Sequence, residues 1–191
     1  MRVLAQRPSR ILGVDPGSSV TGFGVVERRG AQIRHVAHGT LRPARGASLA
    51  ERLAVIQAGL AGAIAAHRPE VAVIERVFAG RSARSALVLG HARGVALATA
   101  AAAGLAVCEY TAPEIKLAVA GSGAAQKRQV QAMVARLLAL EACPAFDAAD
   151  ALAAALCHAH RGPLAALAAA ASGRRRAAAH GAGRLVVRRA R

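Results

Sequence analysis

Apolar and polar positions run first with the spacing of strands, and then alternate between helical spacing and short, wholly apolar runs. Ile11-Leu12-Gly13-Val14 is apolar without interruption and stops on Asp15, followed by Pro16-Gly17, a pair suited to a type II turn or a close backbone approach. Thr21 to Arg28 and Gln32 to Leu41 read as two more strands joined at Arg29-Gly30, which completes a three-stranded meander. Ser48-Leu49-Ala50-Glu51 has capping-box spacing, and helical periodicity continues to about Ala66, where Pro69 forbids more. Val71 to Glu75 has the continuous apolar pattern of a buried parallel strand and also ends on a carboxylate. A small, basic loop from Phe78 to Arg84 precedes a helix from Ser85 to about Ala103, closed by Gly104, and Leu105 to Tyr110 is a strand. Pro113 to Ala118 opens a short helix broken by Gly121-Ser122-Gly123, Ala125 to Leu140 makes a longer one, and Phe146 to about His160 is the last helix of the folded body.

The order βββαβαβα predicts an α/β protein with a mixed sheet flanked by helices, the RNase H-like arrangement. The 191 residues suit one domain with a sizeable core. That domain is expected over residues 10–160, with an N-terminal extension over 1–9. Residues 161–191 carry eight of the 26 basic residues and none of the ten acids in an Ala, Gly and Arg background, and are expected to be a basic, disordered tail.

Charge narrows the class of partner. The formal net charge is +16, and the chain without its tail still carries +8, so a polyanion is indicated and nucleic acid comes first. An anionic membrane is the alternative, but no basic amphipathic stretch with bulky apolar anchors is visible, and the runs at Gly94 to Cys108 and Leu164 to Ala171 are too short to span a bilayer. Met1 to Arg10 lacks the apolar segment of a signal peptide, and three cysteines without CxxC spacing fit reduced thiols, so a cytoplasmic location is expected.

The chain has three aspartates, Asp15, Asp147 and Asp150. Ligands of open parallel sheets sit beyond the carboxyl ends of the strands, where Asp15 and Glu75 stand. Asp147 and Asp150 are three residues apart at a helix start and share a face. Four converging carboxylates would repel one another without divalent cations, and an oxygen-rich set of this kind suits Mg²⁺ or Mn²⁺ acting on a phosphodiester. Taken one at a time the residues have plainer roles: Asp15 as an Asx-type turn residue, Glu75 paired with Arg76, Asp147 as an N-cap, Asp150 as a first-turn dipole partner. Cys157, His158 and His160 look like metal ligands, but His158 and His160 point about 200° apart on a helix, one expected partly buried and the other solvated. Gly13, Gly17, Gly22 and Gly24 lack the spacing and following helix of a dinucleotide loop.

At these residues the chain resembles the RuvC-type Holliday-junction resolvases, from Arg10 to about His160: ILGVDPGSSVTGFGVVE, VIERVF, SALVLGHARGVA, EIKLAVAGSGAAQKRQVQ and DAADALAAALCHAH, in that order. The resemblance implies an RNase H-like fold, a homodimer, Mg²⁺-dependent paired nicking of four-way DNA junctions in recombination and repair, and cooperation with a branch-migration motor. Two ions per active site are expected, with Mn²⁺ able to substitute. The family's catalytic, metal-holding acids fall on Asp15, Glu75, Asp147 and Asp150, its DNA-facing aromatic on Phe78, and its lysines on Lys116 and Lys127. Arg81 and Arg84 in the same loop are expected to contact DNA. The chain has 24 arginines and two lysines, and both lysines occupy those matching positions. Departures are the extension Met1 to Ser9, Ser82 where many members have asparagine, and His91 where glutamine is common. Competing readings are an actin-like or sugar-kinase ATPase, for which the chain is too short, an RNase H-like nuclease acting on RNA precursors, and a non-catalytic architectural DNA binder.

Overall fold

A computed structural model describes residues 8–76 and 83–172 of the chain. The chain divides into two compact units, Met1–His160 and Arg161–Arg191. Its elements are β1 (Ser9–Asp15), β2 (Thr21–Arg29), β3 (Gln32–Leu41), α1 (Leu49–His67), β4 (Val71–Arg76), α2 (Ala83–Ala102), β5 (Ala106–Thr111), α3 (Ala112–Ala120), α4 (Lys127–Leu137) and α5 (Phe146–Ser172). The five strands form one mixed sheet in the order β3-β2-β1-β4-β5. β1, β2 and β3 are antiparallel neighbours, while β4 and β5 run parallel to β1, so the carboxyl ends of β1, β4 and β5 share one edge.

Local chemistry accounts for the element boundaries. Ser48 forms the expected reciprocal capping box with Glu51, and Thr111 forms a second one with Glu114 at the start of α3. The β2–β3 turn passes through Gly30 at φ 60°, and α3 ends on Gly121 in the left-handed region. α4 is shorter than the Ala125 to Leu140 helix expected from sequence, because Gln126 opens it in extended backbone and Ala139 takes a positive φ after it. α5 runs past His160 to Ser172, so the alanine-rich beginning of the expected tail is helical.

Strand alternation sorts the core into two layers. Leu12, Val14, Val25 and Ile74 face Ile56 and Leu60 of α1 and Ala92 and Ala96 of α2. Ile11, Val26 and Val73 face α3, α4 and the alanine-rich face of α5. By the same alternation Asp15 lies on the α5 face with Ile11 and Gly13, and Glu75 with Val73. By length and composition Leu49–His67 and Ser85–Ala102 could each cross a bilayer, which the sequence reading passed over. In this fold both helices instead form the layer on the α1/α2 side of the sheet.

Candidate active site

The site is assembled where β1 and β4 end. Val14 pairs with Ile74 in the parallel register, so Asp15 and Glu75 follow as neighbours on adjacent strands and on one face. The turn after Asp15 is held without its carboxylate. The buried Thr21 hydroxyl donates to the Gly17 carbonyl at 2.7 Å and accepts from the Gly17 N–H at 3.3 Å, while Arg52 of α1 donates to the Ser18 carbonyl and to the Ser18 and Ser19 hydroxyls at 2.6–3.0 Å. An Asx-turn role for Asp15 is therefore not what the geometry shows.

Glycines bring the other two acids in. Gly13 and Gly24 are cross-strand partners, as are Asp15 and Gly22. A Cβ on Gly13 would stand 1.9 Å from the Ala151 carbonyl oxygen, one on Gly22 1.9 Å from that of Asp147, and one on Gly24 2.6 Å from the Leu152 side chain. The bare strand surface thus lets α5 lie almost backbone to backbone across β1 and β2, with its first turns over the carboxylate edge. Since α5 begins at Phe146, Asp147 is its second residue and Asp150 its fifth, which rules out the N-cap reading of Asp147 and the first-turn reading of Asp150, while Asp147 itself lies in the first turn. Glu75 keeps to the cleft, and its backbone carbonyl accepts from Nε of Arg93 at 3.3 Å, a guanidinium that also pairs with Glu109.

Asp15, Glu75, Asp150, Lys116 and Lys127 line one cleft of about 370 Å³, together with Pro16, Leu89, Ala112, Ile115 and Val130. Burial, followed by repulsion from Asp150, Glu75 and Asp147, pushes the pKa of Asp15 from 3.8 to about 7, with Lys127 opposing. Burial and then Asp150 raise Glu75, opposed by Lys127 and Lys116. Lys127 donates from Nζ to Asp150 Oδ2 at 3.1 Å and is held above the usual lysine range mainly by that bond. Asp147 does not line the cleft, but its charge acts on Asp15, and Arg42 reaches to 3.9 Å from its Oδ2.

The shift of Asp15 predicts a pH signature in the metal-free protein. Unfolded chain loses the Asp15 proton near 3.8 and folded chain near 7, so folding takes up a proton between those values and stability falls as pH rises through the window. Asp15→Asn should match the parent in stability at the acid end and exceed it at the neutral end, by a few kcal/mol in order of magnitude and with a higher Tm. Melting curves without metal at both ends check this, and parallel curves would mean that neither burial nor repulsion raises Asp15.

The comparison with known proteins bears on these same residues. A family profile described as crossover junction endodeoxyribonuclease RuvC matches residues 11–158, which contain all four acids and both lysines. The chain belongs to the RuvC family. A RuvC from Halorhodospira halophila is 59% identical over 152 residues, covering 80% of this chain and 90% of that protein. One from Aromatoleum aromaticum is 49% identical over 169 residues, covering 88% and 90%. Thermus thermophilus RuvC in complex with Holliday junction substrate superposes with TM-score 0.77 at 33% identity, over 82% of this chain and 96% of that one. The RNase H-like fold expected from the element order is thus the one found.

Within this RuvC-family frame the structure brings Asp15, Glu75, Asp150, Lys116 and Lys127 together and sets Asp147 beside them. Phe78, Arg81 and Ser82 lie outside the described residues, as does the side chain of Arg84, whose backbone opens α2. His158 is half-buried and shares a hydrogen bond with the Tyr110 hydroxyl at 3.0 Å, while His160 is exposed and 3.3 Å from the Ala118 carbonyl, so they part as their spacing predicts. Sequence reading missed Arg42, Arg52 and Arg93. It set aside Gly13, Gly22 and Gly24 after testing them only as a nucleotide loop, although glycines on one face of paired strands are themselves the signal of a close backbone approach.

Proposed function

We propose that this chain is a structure-selective endonuclease that resolves four-way DNA junctions by paired, metal-dependent hydrolysis of phosphodiester bonds, in homologous recombination and DNA repair. The observation that carries the reading is the acid cluster at the strand ends, buried enough to repel itself and edged by the chain's two lysines. Among the described residues no three Asp, Glu, His or Cys side chains stand close enough to hold an ion as they are placed, and Lys127 supplies the positive charge at Asp150. The donor chemistry nevertheless fits a hard divalent cation: every candidate ligand is a carboxylate oxygen, and a cation there would offset both the burial and the repulsion that raise Asp15. When bound, Mg²⁺, with Mn²⁺ as a substitute and two ions per site, supplies water activation and stabilisation of the leaving oxygen.

Asp15, Glu75, Asp147 and Asp150 would hold those ions. Lys116 and Lys127 would place ammonium groups against the phosphate as its charge grows, where a compact, rotatable donor adapts better than a planar guanidinium. Phe78 would stack on an unpaired base beside the crossover, with Arg81 and Arg84 on the neighbouring backbone. Paired nicking needs two such sites, so the reading includes a homodimer. A branch-migration motor as partner rests on the resemblance alone, and a cytoplasmic location without a membrane partner on the sequence features that led to that expectation.

The test is a synthetic four-way junction incubated with the protein and Mg²⁺, Ca²⁺ or chelator, alongside linear duplex and a structured RNA. Symmetric nicks on the junction with Mg²⁺, binding without turnover in Ca²⁺, and no product with chelator are expected. Equal cleavage of RNA, or cleavage in chelator, would overturn the reading.

A further inference from the structure

On the other flank of Asp15 from the lysines, the end of β3 and the segment leading to α1 enclose a second cleft of about 540 Å³, in which Arg42, Arg45, Arg52 and Ser19 supply the polar groups. No acid is among its described lining residues. The nearby Glu51 carboxylate is turned onto the Ser48 N–H and hydroxyl, both at 2.7 Å. Arg52 is committed to the Ser18 and Ser19 loop and makes a rigid wall that is continuous with the turn holding Asp15. Arg42 is 59% exposed; its Nε donates to the Thr40 hydroxyl at 3.3 Å, and at 3.9 Å its contact with Asp147 is too long for a hydrogen bond, so the terminal nitrogens keep their donors for a ligand. Arg45 is exposed.

We infer that this cleft is a phosphate-backbone subsite, in which Arg42 and Arg45 grip the DNA arm that leaves the active site on the β3 side. The inference rests on the proposed junction-cleaving function and adds to it the path of one arm. The sheet order puts β3 two strand spacings from β1, about 10 Å, so the grip and the reacting phosphate are separate points on the backbone. The phosphates gripped are therefore close to the one at Asp15 but distinct from it, on the side away from Lys116 and Lys127. The arginine fork matches phosphate oxygens two at a time and needs no base contact, which suits an enzyme that reads shape. Arg42 also ties the grip to the acids, since the same guanidinium touches Asp147.

The test uses the full chain carrying Asp15→Asn as the uncut parent, with junction affinity measured across a salt series and phosphates mapped by ethylation interference. Adding Arg42→Ala and Arg45→Ala should reduce the slope of log affinity against log salt by about 1.8, at about 0.9 per lost contact, and erase interference at one cluster of phosphates beside the cut site while leaving the rest of the footprint. Arg42→Lys with Arg45→Lys should restore most of the slope. Arg34→Ala, exposed at the opposite end of β3, should leave slope and footprint unchanged. An unchanged slope and footprint in the double alanine variant, on a parent that binds the junction, overturns the subsite and leaves the enzyme assignment standing. A parent that does not bind the junction overturns both.

Discussion

Asp15→Asn should lower the rate of junction nicking by roughly 10³-fold or more, about 4 kcal/mol in the barrier, while junction binding in Ca²⁺ stays within a few-fold of the parent. The substitution is close to isosteric and removes one negative charge from a group that Glu75, Asp147 and Asp150 all repel. It therefore takes away ion affinity without creating a clash or a cavity. A residue kept for the fold would lose stability when replaced. This one should gain Tm at neutral pH and lose turnover, and that opposite movement marks a charge held in place for chemistry. Single-turnover nicking at saturating protein, read beside melting curves of the same preparations, decides it. Nicking at the parental rate would remove Asp15 from the site.

Gly22→Ala should lower cleavage by something on the order of 10²-fold although the residue carries no functional group, because displacements near 1 Å at a catalytic group can cost that much. The added methyl would meet the Asp147 carbonyl oxygen at 1.9 Å and the Ala148 nitrogen at 3.0 Å. Both atoms are backbone, so the strain moves the first turn of α5 rather than a side chain, and carries Asp147 away from Asp15. A stability loss of about 1–3 kcal/mol is expected from overpacking alone. Gly13→Ala should cost more stability, since its methyl meets Ala151 and Ala155 backbone along the buried middle of α5. Gly62→Ala, on α1 with nothing within 4 Å, should be neutral or slightly stabilising and serves as the control. Folded Gly22→Ala protein that cleaves at the parental rate would show that α5 is not held by this contact.

The sequence alone was enough for the elements and for half of the site. Alternating and continuous apolar runs, the Ser48 capping box and the terminal glycines are settled by residues within a few positions of one another, so the strand and helix order was legible, and so was the delivery of Asp15 and Glu75 to strand ends. Boundaries in alanine-rich stretches were less legible, as in α4 and α5, because alanine is compatible with both a helix interior and its flanks. Only the tertiary structure decided that Asp147 and Asp150 stand beside Asp15, that Arg42 reaches Asp147 from the end of the edge strand β3, and that the Asp15 pKa is raised to about 7. Each of these depends on how closely two backbones distant in sequence can approach. That distance is set here by the three missing side chains at Gly13, Gly22 and Gly24, whose meaning appears only once β1, β2 and α5 are laid against one another.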